Sequence, residues 1–138
     1  MSSVLNGNFE CKVSSVLNKD AKQFGKKNMF DNNDETCWNS DQGTPQFISI
    51  LLPTEEDIDK IEIQFQGGFV GQDCLFCSTR ESGEKNEDVP FYPEDVNSVQ
   101  SFPLSKIVRA KKFTVVFNKS TDFFGRIVIY KFNAYSPS

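Results

Sequence analysis

Apolar and polar residues alternate with a period of two in several short blocks, the spacing of half-buried β-strands. Ile61, Ile63 and Phe65 alternate with Glu62, Gln64 and Gln66, and the block stops at Gly67-Gly68, which predicts a strand followed by a glycine turn. Phe113, Val115 and Phe117 predict a second strand, and residues 127–132 a third. The stretch QFISILLP, residues 46–53, is more continuously apolar and reaches a proline, so it predicts a buried strand ending there. Weaker strand patterns lie at residues 10–15, 74–79 and 98–102. The best helical signal is one or two turns at residues 25–30, closed by Asp31. Strands separated by turn residues, with almost no helix, predict an all-β sandwich or barrel.

Residues 81–90, ESGEKNEDVP, form the longest polar run and read as a flexible loop. The phrase SSVLN occurs at Ser2 and again at Ser14, too little for a repeat architecture. The expected organisation is a loose arm over residues 1–8, one domain over 9–135 and a tail over 136–138.

Composition narrows the class. There are 14 Phe in 138 residues, and Phe, Val and Ile suit the pleated surface of a sheet. The formal charge of −4 argues against a nucleic-acid module, which needs a basic face. The N-terminal residues lack the basic start and apolar run of a secretory signal, and no segment reaches the roughly 20 apolar residues of a membrane span. The four cysteines are therefore expected as reduced thiols in the cytoplasm or nucleus.

Candidate chemistry is sparse. There is no histidine, so serine and cysteine nucleophiles lack their usual base and the commonest transition-metal ligand is missing. The lone CxxC at Cys74 and Cys77 has no second pair to complete a zinc ribbon and no α/β context for redox work. Both features predict a non-enzyme.

The stretch FDNNDETCWNSDQG, residues 30–43, concentrates oxygen-bearing side chains before the only tryptophan. Counted from Asp31, the sixth position is Thr36 and the twelfth Gln42, where an EF-hand needs glycine and glutamate. Two readings remain: an oxygen-rich loop holding a hard cation, or a set of Asx turns made by Asp31, Asn32 and Asn33. Cys37 and Trp38 are expected to lead the chain into the core.

The blocks FDNNDETCWNSDQG, QFQGGF, FYPED and TDFFGRIVIY together resemble a family of small proteins associated with the testicular orphan nuclear receptor. That family has the discoidin fold (coagulation factor 5/8 C-type, galactose-binding-like), so the resemblance implies a jelly-roll β-sandwich of about eight main strands. Many members of the superfamily carry D-G-N-x-x-T-x-W where this chain has residues 31–38, and there the matching residues hold a structural calcium. Carried over, the implied ligands are Asp31, Asn33, Thr36 and the carbonyl of Phe30. Asn32 stands at the glycine position, and Asn tolerates the same left-handed geometry.

In carbohydrate-binding relatives the ligand sits on loops at one end of the sandwich. The matching residues here are Asn39, Asp41, Gln42, Phe69, Phe123, Phe124 and Arg126, an aromatic and charged mixture suited to recognition. Of Phe123 and Phe124, one is expected in the core. The resemblance implies a monomeric, non-catalytic partner of a nuclear receptor that represses receptor-driven transcription in nucleus and cytoplasm. The alternatives are a small-molecule or carbohydrate module using the same loops, with sugar the less favoured ligand, and a subunit of a larger intracellular assembly. No direct contact with nucleic acid or membrane is implied.

Overall fold

The computed structural model describes residues 2–137, so Met1 and Ser138, the ends of the expected arm and tail, lie outside it. In chain order the strands are β1 (Ser2–Ser3), β2 (Glu10–Val13), β3 (Trp38–Asn39), β4 (Gln46–Phe65), β5 (Gly71–Thr79), β6 (Val89–Phe91), β7 (Val99–Ser120) and β8 (Val128–Ser136). One short helix, α1 (Ala21–Phe24), and two 3-10 turns, Leu17–Lys19 and Lys26–Met29, lie between β2 and β3.

Two long strands organise the fold, because each serves both layers. The first part of β4 lies between β2, through Ile48↔Val13, and the far part of β7, through Ile48↔Val115. Its last part lies between the near part of β7, through Ile61↔Phe102, and β8, through Ile61↔Ala134. β5 joins the far part of β7, and β6 extends that layer beyond β5. Every one of these pairings is antiparallel.

The period-two pattern now has its cause. Ile48, Ile50, Phe113, Val115 and Phe117 point inward from one layer, and Ile61, Ile63, Phe65, Phe132 and Ala134 from the other, all buried. Ring contacts Phe65–Phe117 at 5.8 Å and Phe113–Phe132 at 6.4 Å join the halves. Burying one such side chain contributes about 1.5–3 kcal/mol, so this seam is the main source of stability.

Three expectations need correction. β4 does not end at Pro53 but runs through it to Phe65. The ladder shifts register between Leu51 and Glu56, and in that gap a residue without an N–H costs no ladder bond. Val89 and Pro90, assigned to the flexible loop, belong to β6, an edge strand whose proline pairs opposite Leu75. The arm is not loose where it is described: Ser2 pairs with Ser136, Ser3 with Tyr135, and Val4 joins the core. That pairing also takes Ser136 out of the expected tail. The turn expected at residues 25–30 is present as the 3-10 turn Lys26–Met29, and α1 precedes it, capped by Asp20 Oδ1, which accepts from Gln23 N at 3.1 Å.

The CxxC straddles β5. Cys74 points into the core while Cys77 lies half-buried on the other face, as residues three apart on a strand must. Burial pushes the Cys74 thiol up to about 12 and Cys77 up to about 11, so both stay protonated. Among the described residues no three Cys, Asp or Glu side chains gather as a metal cluster.

Candidate functional site

A buried amide builds the loop end of the sandwich. Gln46, the first residue of β4, is 4% exposed, and its side chain is fully used. Its Oε1 accepts from Ser15 Oγ at 2.8 Å and from Ser14 Oγ. Its Nε2 donates to the carbonyls of Gly43 at 2.7 Å and Asp41 at 3.2 Å. Ser15 continues the brace, accepting from Asp41 N at 2.9 Å, while its carbonyl accepts from Trp38 Nε1 at 2.9 Å. Buried Ser40 donates its N–H to the Ile127 carbonyl at 2.8 Å, and its hydroxyl accepts from Ile127 N at 2.8 Å. The 39–43 loop is thus pinned from within.

The 121–126 loop docks on it. Gly43 N donates to Phe124 O at 2.7 Å, and Gly125 lies so near that an added Cβ would meet the Gly43 backbone at 2.9 Å. The third loop is tied in by Val70 N to Thr121 Oγ1 at 3.0 Å and Val128 N to Phe69 O at 3.2 Å. Asp122 and Arg126 form a fork, with Nε–Oδ2 at 2.9 Å and Nη2–Oδ1 at 3.3 Å. The hydrogen bond from Arg126 holds the Asp122 carboxyl below its ordinary range, and the guanidinium is correspondingly harder to deprotonate. The same guanidinium carbon stands 5.1 Å from the Phe69 ring and 5.7 Å from the Phe124 ring.

The structure therefore brings Asp41, Gln42, Phe69, Phe123, Phe124 and Arg126 to one end of the sandwich. Asn39 is different: it sits within β3 opposite Val128, half-buried, with its Oδ1 shielded and unpartnered. The expectation that Phe123 or Phe124 enters the core does not hold. Phe123 is 93% and Phe124 53% exposed, packed edge-to-face at 5.2 Å. The core position falls to Ile127 instead, because Gly125 in left-handed geometry turns the chain before it does so.

The 31–36 turn lies apart from these loops. Asp31 Oδ1 accepts from Asn33 N at 3.0 Å and Asn33 Oδ1 from Glu35 N at 2.9 Å, two successive Asx turns. Asn32 takes the left-handed conformation, φ 56°, that the glycine of the related pattern would supply. Thr36 Oγ1 stands 2.5 Å from Asp31 Oδ2 and 3.3 Å from the Asn33 carbonyl, so three oxygens converge. An all-oxygen set with one carboxylate fits a hard cation, which needs about six to eight oxygens, the rest from backbone and water.

No protein-family model matches the chain. Curated relatives do. The nuclear receptor 2C2-associated protein of Danio rerio is 47% identical over 128 residues, covering 93% of this chain and 91% of the relative. That of Homo sapiens is 44% identical over 119 residues, covering 86% and 85%. The chain belongs to the nuclear receptor 2C2-associated protein family. Solved structures supply the fold of this family. A Clostridium perfringens CBM32 domain in complex with GalNAc-β-1,3-galactose superposes with TM-score 0.81 at 14% identity, covering 98% of this chain and 100% of that one. The family 32 module of C. perfringens NanJ, in complex with galactose, gives 0.77 at 17% identity, covering 93% of each. The chain is therefore a galactose-binding-like jelly roll, as the resemblance implied. The bracing residues Gln46, Ser14, Ser15, Ser40 and Asp122 escaped the sequence reading. A buried Gln opening an apolar strand was the one available signal.

Proposed function

We propose that the chain is a non-catalytic adaptor of nucleus and cytoplasm whose loop end receives a nuclear receptor and lowers receptor-driven transcription. The observation that carries this reading is the exposed Phe123–Phe124 pair on a rigidly braced loop, beside Arg126. Exposed aromatics and arginine that are pre-positioned lose little freedom on binding and supply most of the affinity at protein interfaces. The relatives' name supports a receptor as partner. The absence of histidine and the raised thiols of Cys74 and Cys77 support a role without nucleophilic chemistry. With a charge of −4 the chain is read as binding protein rather than DNA, and as a monomer in its free form. Co-expression with nuclear receptor 2C2 and a receptor-responsive reporter tests the reading. Reporter output falls with the wild type, and unchanged output at equal expression contradicts repression.

A second reading, a small sugar at the same end, draws on the neighbours that hold galactose and GalNAc-β-1,3-galactose. Arg126 weighs against it, since its Nε and one terminal nitrogen already serve Asp122. Titration with galactose by calorimetry separates the two readings. We also propose that the 31–36 turn holds one structural calcium through Asp31, Asn33, Thr36 and the Phe30 carbonyl, tethering the loop to the sandwich without chemistry of its own.

A further inference from the structure

A cleft lies on the outer face of the layer made by β7, β4 and β8, and none of the predicted partner-contact residues lines it. Its volume is about 330 Å³, the lower end of the range for small-molecule sites. Register sets its floor. Val99 pairs with Gln64 and Gln64 with Lys131, giving an outward row that runs apolar, amide, cation. The next row, Ser101–Glu62–Asn133, is already satisfied: Glu62 Oε2 accepts from Ser101 Oγ at 3.0 Å and pairs with Lys60 at 3.5 Å. Asn133 Oδ1 accepts from Ser3 Oγ at 2.6 Å, and its Nδ2 donates to Tyr135 at 3.2 Å.

Spare capacity is confined to one side. Among the described residues Lys131 has a single ion-pair partner, Asp34, at 2.8 Å, whose side chain is 81% exposed, a pairing of little strength. Asn32 lines the same side, and its side-chain amide has no partner among the described residues. Leu5, which follows β1 beside β8, and Phe30, two residues before Asn32, wall the same edge, while across Gln64 Val99 presents 52% of its surface to solvent. A carboxyl group has no free donor at Glu62 but two at the Lys131 end, while an apolar body finds cover against Phe30 and Val99.

We propose that this cleft binds a small amphipathic carboxylate, its carboxylate taken by Lys131 and Asn32 and its apolar body lying between Leu5, Phe30 and Val99. The ligand displaces Asp34, which returns to water at little cost. Such a site is separate from the loop end, so the chain carries a small-molecule input beside its partner surface.

The test is titration of the full chain with indole-3-acetate, followed by calorimetry and by amide chemical shifts, with neutral indole-3-acetamide as control. We expect saturable one-to-one binding of the acid, at least about tenfold weaker binding of the amide, and shifts centred on Val99 and Lys131. Lys131→Gln weakens the acid about tenfold and Val99→Asp abolishes binding, whereas Phe123→Ser with Phe124→Ser changes nothing. Both cleft substitutions are at solvent-facing positions, and an unchanged Tm certifies the fold. No saturable binding, equal binding of acid and amide, or binding lost only in the phenylalanine variant overturns the proposal.

Discussion

Gly125 holds more of the contact surface in place than any aromatic on it. Its φ of +84° and the 2.9 Å approach of a would-be Cβ to the Gly43 backbone leave no room for a side chain. Gly125→Ala is expected to cost about 2 kcal/mol or more in urea unfolding, with the loop end displaced. Phe123→Ser, at 93% exposure, is expected to change stability by no more than about 0.5 kcal/mol. Gln46→Leu leaves two hydroxyl donors and the Gly43 carbonyl without their partner, while the Asp41 carbonyl keeps Ser40 Oγ at 2.9 Å, and is expected to cost about 2–3 kcal/mol. Away from the site, Glu55 is held down to about 2, chiefly by the hydrogen bond from Arg80, with the Glu81 N–H and Arg109 adding to it. A carboxyl lowered on folding contributes stability above its unfolded value and loses it as pH falls through its folded one. The Tm difference between wild type and Glu55→Gln is therefore expected to be largest above pH 4.5 and to shrink steadily as pH falls from there through about 2.

At the level of elements, strands with one buried face declared themselves by alternation, as at Ile61, Ile63 and Phe65. What stayed hidden had no period to show. β1 is two residues long, and its pairing with β8 joins positions 134 residues apart. The continuation of β4 past Pro53 depends on a register shift that only the partner strand defines. At the loop end, the shared placement of Phe69, Phe123, Phe124 and Arg126 was legible through the resemblance. Their exposure was not, because the left-handed turn at Gly125 decides which residue goes inside. Phe117 packs on Trp38 at 6.5 Å and Phe65 at 5.8 Å, so Phe117→Ala is expected to cost about 3–5 kcal/mol in chemical unfolding. For the 31–36 turn, a calcium chelator is expected to lower the Tm of the wild type and leave Asp31→Ala unmoved. Equal scans for both proteins, with and without chelator, remove the calcium.

Over the whole molecule, the two proposed contacts divide between an end and a face. The end presents rigidly braced, exposed aromatics, and the outer face of the β7–β4–β8 layer carries a walled cleft. The jelly roll permits this because its two long strands cross both layers and fix loops and face to one buried seam. The central claim concerns the end, and binding of the purified chain to purified nuclear receptor 2C2 tests it most directly. Calorimetry on the wild type and on Phe123→Ser with Phe124→Ser, at matched Tm, is expected to show binding that the double variant weakens at least about tenfold. Equal affinity for both chains, or no binding by the wild type, contradicts it.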